Sequence, residues 1–305
     1  MNNEYVHTIA AMGTVVTIRV VGPAARPAHR RALTEAVDLA VGWFQRVEAA
    51  CTRFDENSEL RRLSTRIGTP VSVGAILLRT VQFALQVAEE TNGAFDPTIG
   101  YHMEKRGFNR EYRTGRTVPA ECTPADDITY RDVQVDAKHE TITLLRPLVL
   151  DVGAVAKGLA IDMAARTLQP FKNFEINAGG DLYVSGTNVH GRPWTVGVRH
   201  PRAPDQIIER FEATDTAVCT SGDYERISPA PFAGHHILDP RTRQPATAVA
   251  SATVLAPTAM MADALATAAF VLGPTEGLRL LNRLGVVGLI VTPTLELHRT
   301  AEEAA

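Results

Sequence analysis

Apolar positions along the chain alternate between two periods. From 7 to 21, Ile9, Met12, Val15, Val16, Ile18, Val20 and Val21 mix with Thr14 and Thr17, a β-branched strand pattern interrupted at Gly13. Between 27 and 50 the spacing lengthens to that of a helix through Leu33, Val37, Ala40, Phe44 and Val47, with Pro27 suited to the first turn. Polar residues at 52–60 break this pattern ahead of a short helix that reaches Ser64. Ser72 is placed to cap a helix running to Thr91 on Ile76, Leu77, Val81, Leu85 and Val87, and Asn92-Gly93 supplies its left-handed ending.

The second half is richer in strands. Segments 133–136 and 141–145 read as a hairpin, and 148–151 lead through Gly153 into an apolar helix ending at Leu168. Strands are predicted at 174–177, 182–184, 194–199, 207–211, 217–220 and 249–255. Pro257-Thr258 opens a helix that stops at Leu272-Gly273-Pro274; a second helix runs to Leu284, a strand covers 286–291, and 298–305 reads as a frayed tail. The polar stretch 109–127 reads as a surface loop inside one domain spanning 1–305. Hairpin-joined strands interleaved with helices predict an α+β fold with largely antiparallel sheets, not a doubly wound parallel one.

Composition narrows the class. With 45% hydrophobic and 21% charged residues among 305, the chain can bury a sizeable core. A net charge of -3 without a long basic run gives no footprint for nucleic acid. Cys51, Cys122 and Cys219 are odd in number and lack Cys-x-x-Cys spacing, which argues against a disulfide framework or a thiolate metal site. No run reaches membrane-spanning length and the first residues lack signal-peptide features, so the expectation is a cytoplasmic protein without a membrane anchor.

The candidate chemistry centres on 150–168, where a strand turns through Gly153 into a helix carrying Lys157 and Gly158. Helix N-termini offer unpaired N–H groups and positive dipole to a phosphate. The order Gly153-x3-Lys157-Gly158 is not a Walker A loop, and no Gly-x-Gly-x-x-Gly follows a strand. The stretch reads equally as a core helix with a snorkelling lysine. Asp263 and Thr267, four apart on one helix face, suit a hard cation such as Mg²⁺, or else bond within their own helix. His235-His236 precedes the Asp239-Pro240 turn, where a neutral imidazole can take a hydroxyl proton, although surface histidine pairs are common. Loops 177–181 and 220–226 let backbone approach a ligand, and neither holds the Gly-x-Ser-x-Gly of a serine hydrolase.

In chain order, Met12-Gly13-Thr14, segment 54–63 with Ser58-Glu59, Gly93-Ala94-Phe95-Asp96-Pro97-Thr98, and segments 150–162, 177–181, 220–226, 236–242 and 262–267 resemble the ApbE family. These are Mg²⁺-dependent FAD:protein FMN transferases, and the resemblance runs over nearly the whole chain. It implies a single α+β unit of two related lobes, similar to the T-fold, with FAD in the cleft between them. It makes Asp263 and Thr267 side-chain ligands of Mg²⁺, joined by the Ala154 carbonyl, and puts Lys157, Gly158 and Asp162 on the FAD site. Met12 would border the flavin, with Ser58 and Glu59 in the loop near it, Asp96 on the adenosine side, and Ser221 and Gly222 at the phosphate end. His236 corresponds to the histidine placed for proton transfer, so the rate should rise through an ordinary histidine pKa. The implied reaction joins FMN to a threonine or serine hydroxyl of a partner flavoprotein and releases AMP. The same site could instead serve an FAD pyrophosphatase or a non-catalytic FAD-binding protein. Arg243 stands where the family pattern Asp-Pro-x-Thr-Gly has glycine, so the turn 239–243 must form without it.

Overall fold

Val16, Ile18 and Val20 point one face of an early strand inward while Val15 and Arg19 face solvent, and this alternation seeds the main sheet. The computed structural model describes residues 4–22, 27–111, 114–118 and 122–301. Parts of the expected loop (112–113, 119–121) and tail (302–305) lie outside them.

The chain begins with the hairpin β1 (Glu4–Ala11) and β2 (Thr14–Val21), followed by α1 (Pro27–Cys51), α2 (Glu59–Leu63), β3 (Val71–Ser72), α3 (Ala75–Glu90) and α4 (Gly100–Lys105). A second hairpin, β4 (Val133–Asp136) and β5 (Thr141–Leu144), leads into α5 (Gly153–Leu168), β6 (Phe174–Ala178) and β7 (Asp181–Ser185). Next come β8 (Trp194–His200), β9 (Ala203–Ala213), β10 (Thr216–Gly222), and the short pair β11 (Leu238–Asp239) and β12 (Gln244–Pro245). The last elements are β13 (Ser251–Ala256), α6 (Ala259–Arg283), β14 (Val287–Val291) and β15 (Leu297–Arg299).

Eight strands form one sheet in the order β1-β2-β6-β7-β10-β13-β14-β15, with every pairing antiparallel. The expected α+β class with antiparallel sheets is therefore present, and the sheet runs unbroken through both halves of the chain. Helices α1, α5 and α6 close one face over a core that includes Ile18, Phe44, Ile161, Phe174, Val254 and Phe270. The β8-β9 ribbon covers part of the other face, with Trp194 and Val196 against Leu182, Val184 and Val218, and Val198 against Leu289 and Val291. Among the described residues no helix is long and apolar enough to cross a membrane.

Some local expectations move. Ser72 lies in β3, and α3 starts after Gly74, whose N–H donates to Glu59 Oε2 at 2.6 Å, so a carboxylate from α2 serves as the cap. Residues 298–301 are not frayed: β15 pairs with β14, and buried Thr300 exchanges bonds with Gly288 at 3.0 and 3.1 Å. As Gly273-Pro274 foretold, α6 is two helical stretches joined at a break where Gly273 has φ 84.

The contact that positions the site is α5 against the start of α6. A methyl group on Gly158 would sit 2.5 Å from Ala259 O and Met260 N, so only glycine permits this approach. Four residues on, Asp162 accepts from Ala259 N at 2.7 Å and Met260 N at 3.1 Å, which satisfies two free N–H groups of α6. Gly158→Ala should lower unfolding free energy by about 2 kcal/mol or more through overpacking; an unchanged urea midpoint would show that the helices can separate at no cost.

Candidate functional site

Asp151 Oδ1 accepts from Gly153 N at 2.9 Å and so starts α5. One turn in, Lys157 pairs with Asp181 Oδ2, and its Nζ lies 3.2 Å from Asp263 Oδ2 on α6. Asp181 opens β7 after Gly179 (φ 65) and Gly180 (φ 97), and its Oδ1 accepts from Thr220 N at 3.0 Å. These bonds tie the ends of β7 and β10 to the lysine. Burial pushes the Asp263 carboxyl above its usual range, with Lys157 opposing the shift. Its Oδ2 is shielded from solvent and meets the Lys157 ammonium as an ion pair. Thr267, one turn further along α6, bonds Ser221 Oγ at 3.0 Å.

The two adjacent histidines are distinct. His235 is buried edge-on against Phe270; its Nε2 donates to Ala246 O at 2.9 Å and its Nδ1 accepts from Ile237 N at 3.3 Å, so both nitrogens are committed. His236 points the other way, with its ring centroid 6.2 Å from that of Phe108 and its Nδ1 shielded and unbonded. Although the residue as a whole is only half-buried, burial of the ring pushes its pKa down to about 3, and the Arg226 cation adds to the shift. The imidazole is therefore neutral throughout the physiological range, which corrects the expectation of an ordinary histidine titration.

A buried ionic group backs this wall. Arg53 Nε donates to Asp151 Oδ2 at 2.7 Å, and its Nη2 to Phe108 O at 2.5 Å, while Glu104 lies 3.5 Å from Arg53 and 3.4 Å from Arg61. Burial would raise the Asp151 carboxyl, but Arg53 and the Gly153 N–H bring it below its ordinary value. A second cleft is lined by Asp96, Thr98, His102, Tyr130 and Arg131 together with Arg241 and Arg243 from the turn after His236. Asp96 there accepts from Thr98 N at 2.8 Å, Thr98 Oγ1 at 2.7 Å and Tyr130 N at 3.0 Å. Arg243 takes the glycine conformation at φ 59, and its Nη1 bonds Asp126 Oδ1 at 2.7 Å.

Of the expected site residues, Lys157 meets Asp263 and Ser221 meets Thr267, two pairs one turn apart along α6, with Ala154 on the first turn of the lysine's helix. Met12 (φ 52) and Gly13 form the tip of the β1-β2 hairpin, beside the Gly179 turn that bonds Val15. Gly222 closes on the Tyr224 ring. Ser58 caps α2 by accepting from Arg61 N at 3.0 Å, Glu59 caps α3, Gly158 packs and Asp162 caps α6, so the described contacts of these four are scaffolding. Asp151, Asp181, Arg53 and Arg226 were not singled out. The Asp151-x-Gly153 turn carried a capping signal for the first; Arg53 and Asp181 depend on partners tens of residues away, and Arg226 is placed by a backbone bond from His236.

Fold and site together define an α+β protein whose charged, partly buried centre lies where the first turns of two helices meet. The chain belongs to the ApbE family, whose sequence model matches residues 12–290. It is 30% identical over 266 residues to the FAD:protein FMN transferase of Haemophilus influenzae, covering 81% of this chain and 75% of that one. To the same-named protein of Treponema pallidum it is 30% identical over 324 residues, covering 98% and 87%. The crystal structure of the ApbE protein from Thermotoga maritima superposes with a TM-score of 0.84 at 31% identity, over 98% of this chain and 97% of that one. The flavin transferase ApbE from Vibrio cholerae does so with 0.83 at 25% identity, over 99% and 98%.

The displaced His236 pKa has a stability consequence. Between about pH 3 and the unfolded value near 6.5 the unfolded chain holds a proton that the folded chain lacks, so stability falls as pH drops through this window. Asp162, raised to about 6 by burial, works in the opposite sense between its unfolded value and pH 6. His236→Gln should therefore remove about 2 kcal/mol of the stability loss between pH 6.5 and 5. Denaturation midpoints that run parallel for parent and variant over this range would show an unshifted histidine.

Proposed function

We propose that this protein transfers FMN from FAD to a threonine or serine hydroxyl of an acceptor flavoprotein and releases AMP, with Mg²⁺ as cofactor. The observation that carries the reading is the buried Oδ2 of Asp263, faced by the Lys157 ammonium at 3.2 Å and set on α6 one turn before the Thr267 hydroxyl, in a chain whose His236 is held neutral. A lone carboxylate oxygen and a hydroxyl are hard donors that suit Mg²⁺, which usually keeps water and substrate phosphate in its shell. Among the described residues no group of three or more His, Cys, Asp or Glu offers a richer site. Asp263, Thr267 and the Ala154 carbonyl would hold the cation. When bound it supplies Lewis acidity and charge neutralisation to the phosphates.

The chain's own groups do the rest. Lys157, tethered by Asp181, offers an ammonium to the phosphate end near Ser221 and Gly222, while Met12 and Asp96 take the flavin and adenosine ends. As the acceptor oxygen bonds the FMN phosphorus and the pyrophosphate bond to AMP breaks, the His236 imidazole takes the hydroxyl proton. A pKa near 3 makes a weak base, and the arriving phosphate charge raises it. The compartment proposed is the cytoplasm, which would keep the buried thiols of Cys51 and Cys219 reduced.

The test is to incubate protein, FAD, Mg²⁺ and an acceptor flavoprotein domain and to weigh the acceptor for an added FMN. Asp263→Asn should abolish the Mg²⁺-dependent reaction while metal-free FAD binding persists. His236→Ala should bind FAD normally yet transfer FMN roughly 10²-fold more slowly or worse, whereas loss of transfer in His235→Ala alone would reassign the base. The pH profile of kcat/KM should show no limb near 6.5, because that quantity reports the free protein's histidine. AMP release without any acceptor labelling would instead make the protein an FAD pyrophosphatase.

A further inference from the structure

Two loops meet beside His236. His236 N donates to Arg226 O at 3.1 Å, Ser228 N donates to Gly234 O at 2.8 Å, and Ile227 bridges His235 in antiparallel fashion. Directly opposed residues of such a pairing share a face and successive ones alternate, so Arg226, opposite His236, lies on the side of that histidine and Ile227 on the other. Its charge is felt at His236, at Asp151 and at Asp263, three groups drawn from three different segments.

The acids that could neutralise it are occupied. Asp223 is held by Arg202 at 2.7 and 2.6 Å, and Glu225 pairs with Arg199 at 3.5 Å. Asp181 and Asp263 engage Lys157, and Asp151 engages Arg53. Among the described residues the Arg226 side chain has no ion pair or hydrogen bond, and it is exposed. A guanidinium fixed by its backbone to the catalytic histidine, with its donors free, is prepared for an anion that arrives from outside.

On the flavin-transfer reading, we propose that Arg226 binds the pyrophosphate of the dinucleotide and so selects FAD over phosphate-free flavin. The guanidinium fork matches paired phosphate oxygens, whereas the tethered Lys157 acts as a point charge deeper in the site. Arg226 changes no covalent bond in this role.

The experiment titrates FAD, ADP and riboflavin into the full chain without Mg²⁺, by flavin fluorescence and calorimetry, for the parent, Arg226→Gln and Arg226→Lys. The exposed position should leave the denaturation midpoint unchanged. Arg226→Gln should weaken FAD and ADP roughly 10- to 100-fold and leave riboflavin unaltered, with Arg226→Lys recovering part of the loss. Equal FAD and ADP affinities in parent and Arg226→Gln overturn the proposal, as does an equal loss for riboflavin. A parent that binds ADP but not FAD, with ADP binding lost in Arg226→Gln, removes the flavin reading yet keeps the arginine as a pyrophosphate residue.

Discussion

The close approach of α5 to the first turn of α6 is the constraint on which the site depends. Gly158 leaves room for the Ala259 and Met260 backbone, and Asp162 fastens that backbone from the same helix. A carboxylate at a helix N-terminus gains from both the hydrogen bonds and the dipole. Thr258 Oγ1 adds a third bond, to Met261 N at 3.3 Å. With the start of α6 fixed, Asp263 falls one turn later and faces Lys157, which directly precedes Gly158. Contact between backbones thus sets the distance between an ammonium and a carboxylate.

The charges gathered there are costly in isolation. Taking a carboxylate or guanidinium out of water loses several kcal/mol, and pairing recovers this only when further hydrogen bonds complete the geometry. Asp181 meets that condition by accepting from Thr220 N as well as pairing with Lys157. Arg53 meets it through Asp151, Glu104 and the Phe108 carbonyl. The second network also links the start of α5 to the Phe108 ring that abuts His236. It fixes the spacing between the two sides of the site more than it stabilises the chain. Asp263 Oδ2 is the exception, a buried oxygen with the Lys157 ion pair and, among the described residues, no further hydrogen bond.

The turn at 239–243 shows how a departure from the family pattern is absorbed. A left-handed residue other than glycine costs about 1–2 kcal/mol. Arg243 adopts that conformation at φ 59, Asp239 accepts from Arg241 N at 2.9 Å, and the Arg243 guanidinium reaches Asp126 across the second cleft. The glycine's shape is kept, and the added side chain ties loop residue 126 to the wall that carries the histidine.

Long periodic elements were legible in the sequence, because burying one face of α1, α5 or α6, or of β2, imposes a repeat that neighbouring residues carry together. Residue type and motif order also picked out Lys157, Asp263, Thr267 and His236 as candidates, and the fold brings Lys157 to Asp263 and Thr267 to Ser221. The two-residue β3 and six-residue α4 were not, since neither is long enough to show a period. Nor were the caps: α3 is capped by Glu59, 15 residues before Gly74, and α6 by Asp162, 97 residues before Ala259. The sequence by itself determined that two histidines precede the Asp239-Pro240 turn. Only the tertiary structure decided that His235 spends both ring nitrogens on backbone while His236 stays neutral, because burial and hydrogen bonding depend on segments far apart in the chain.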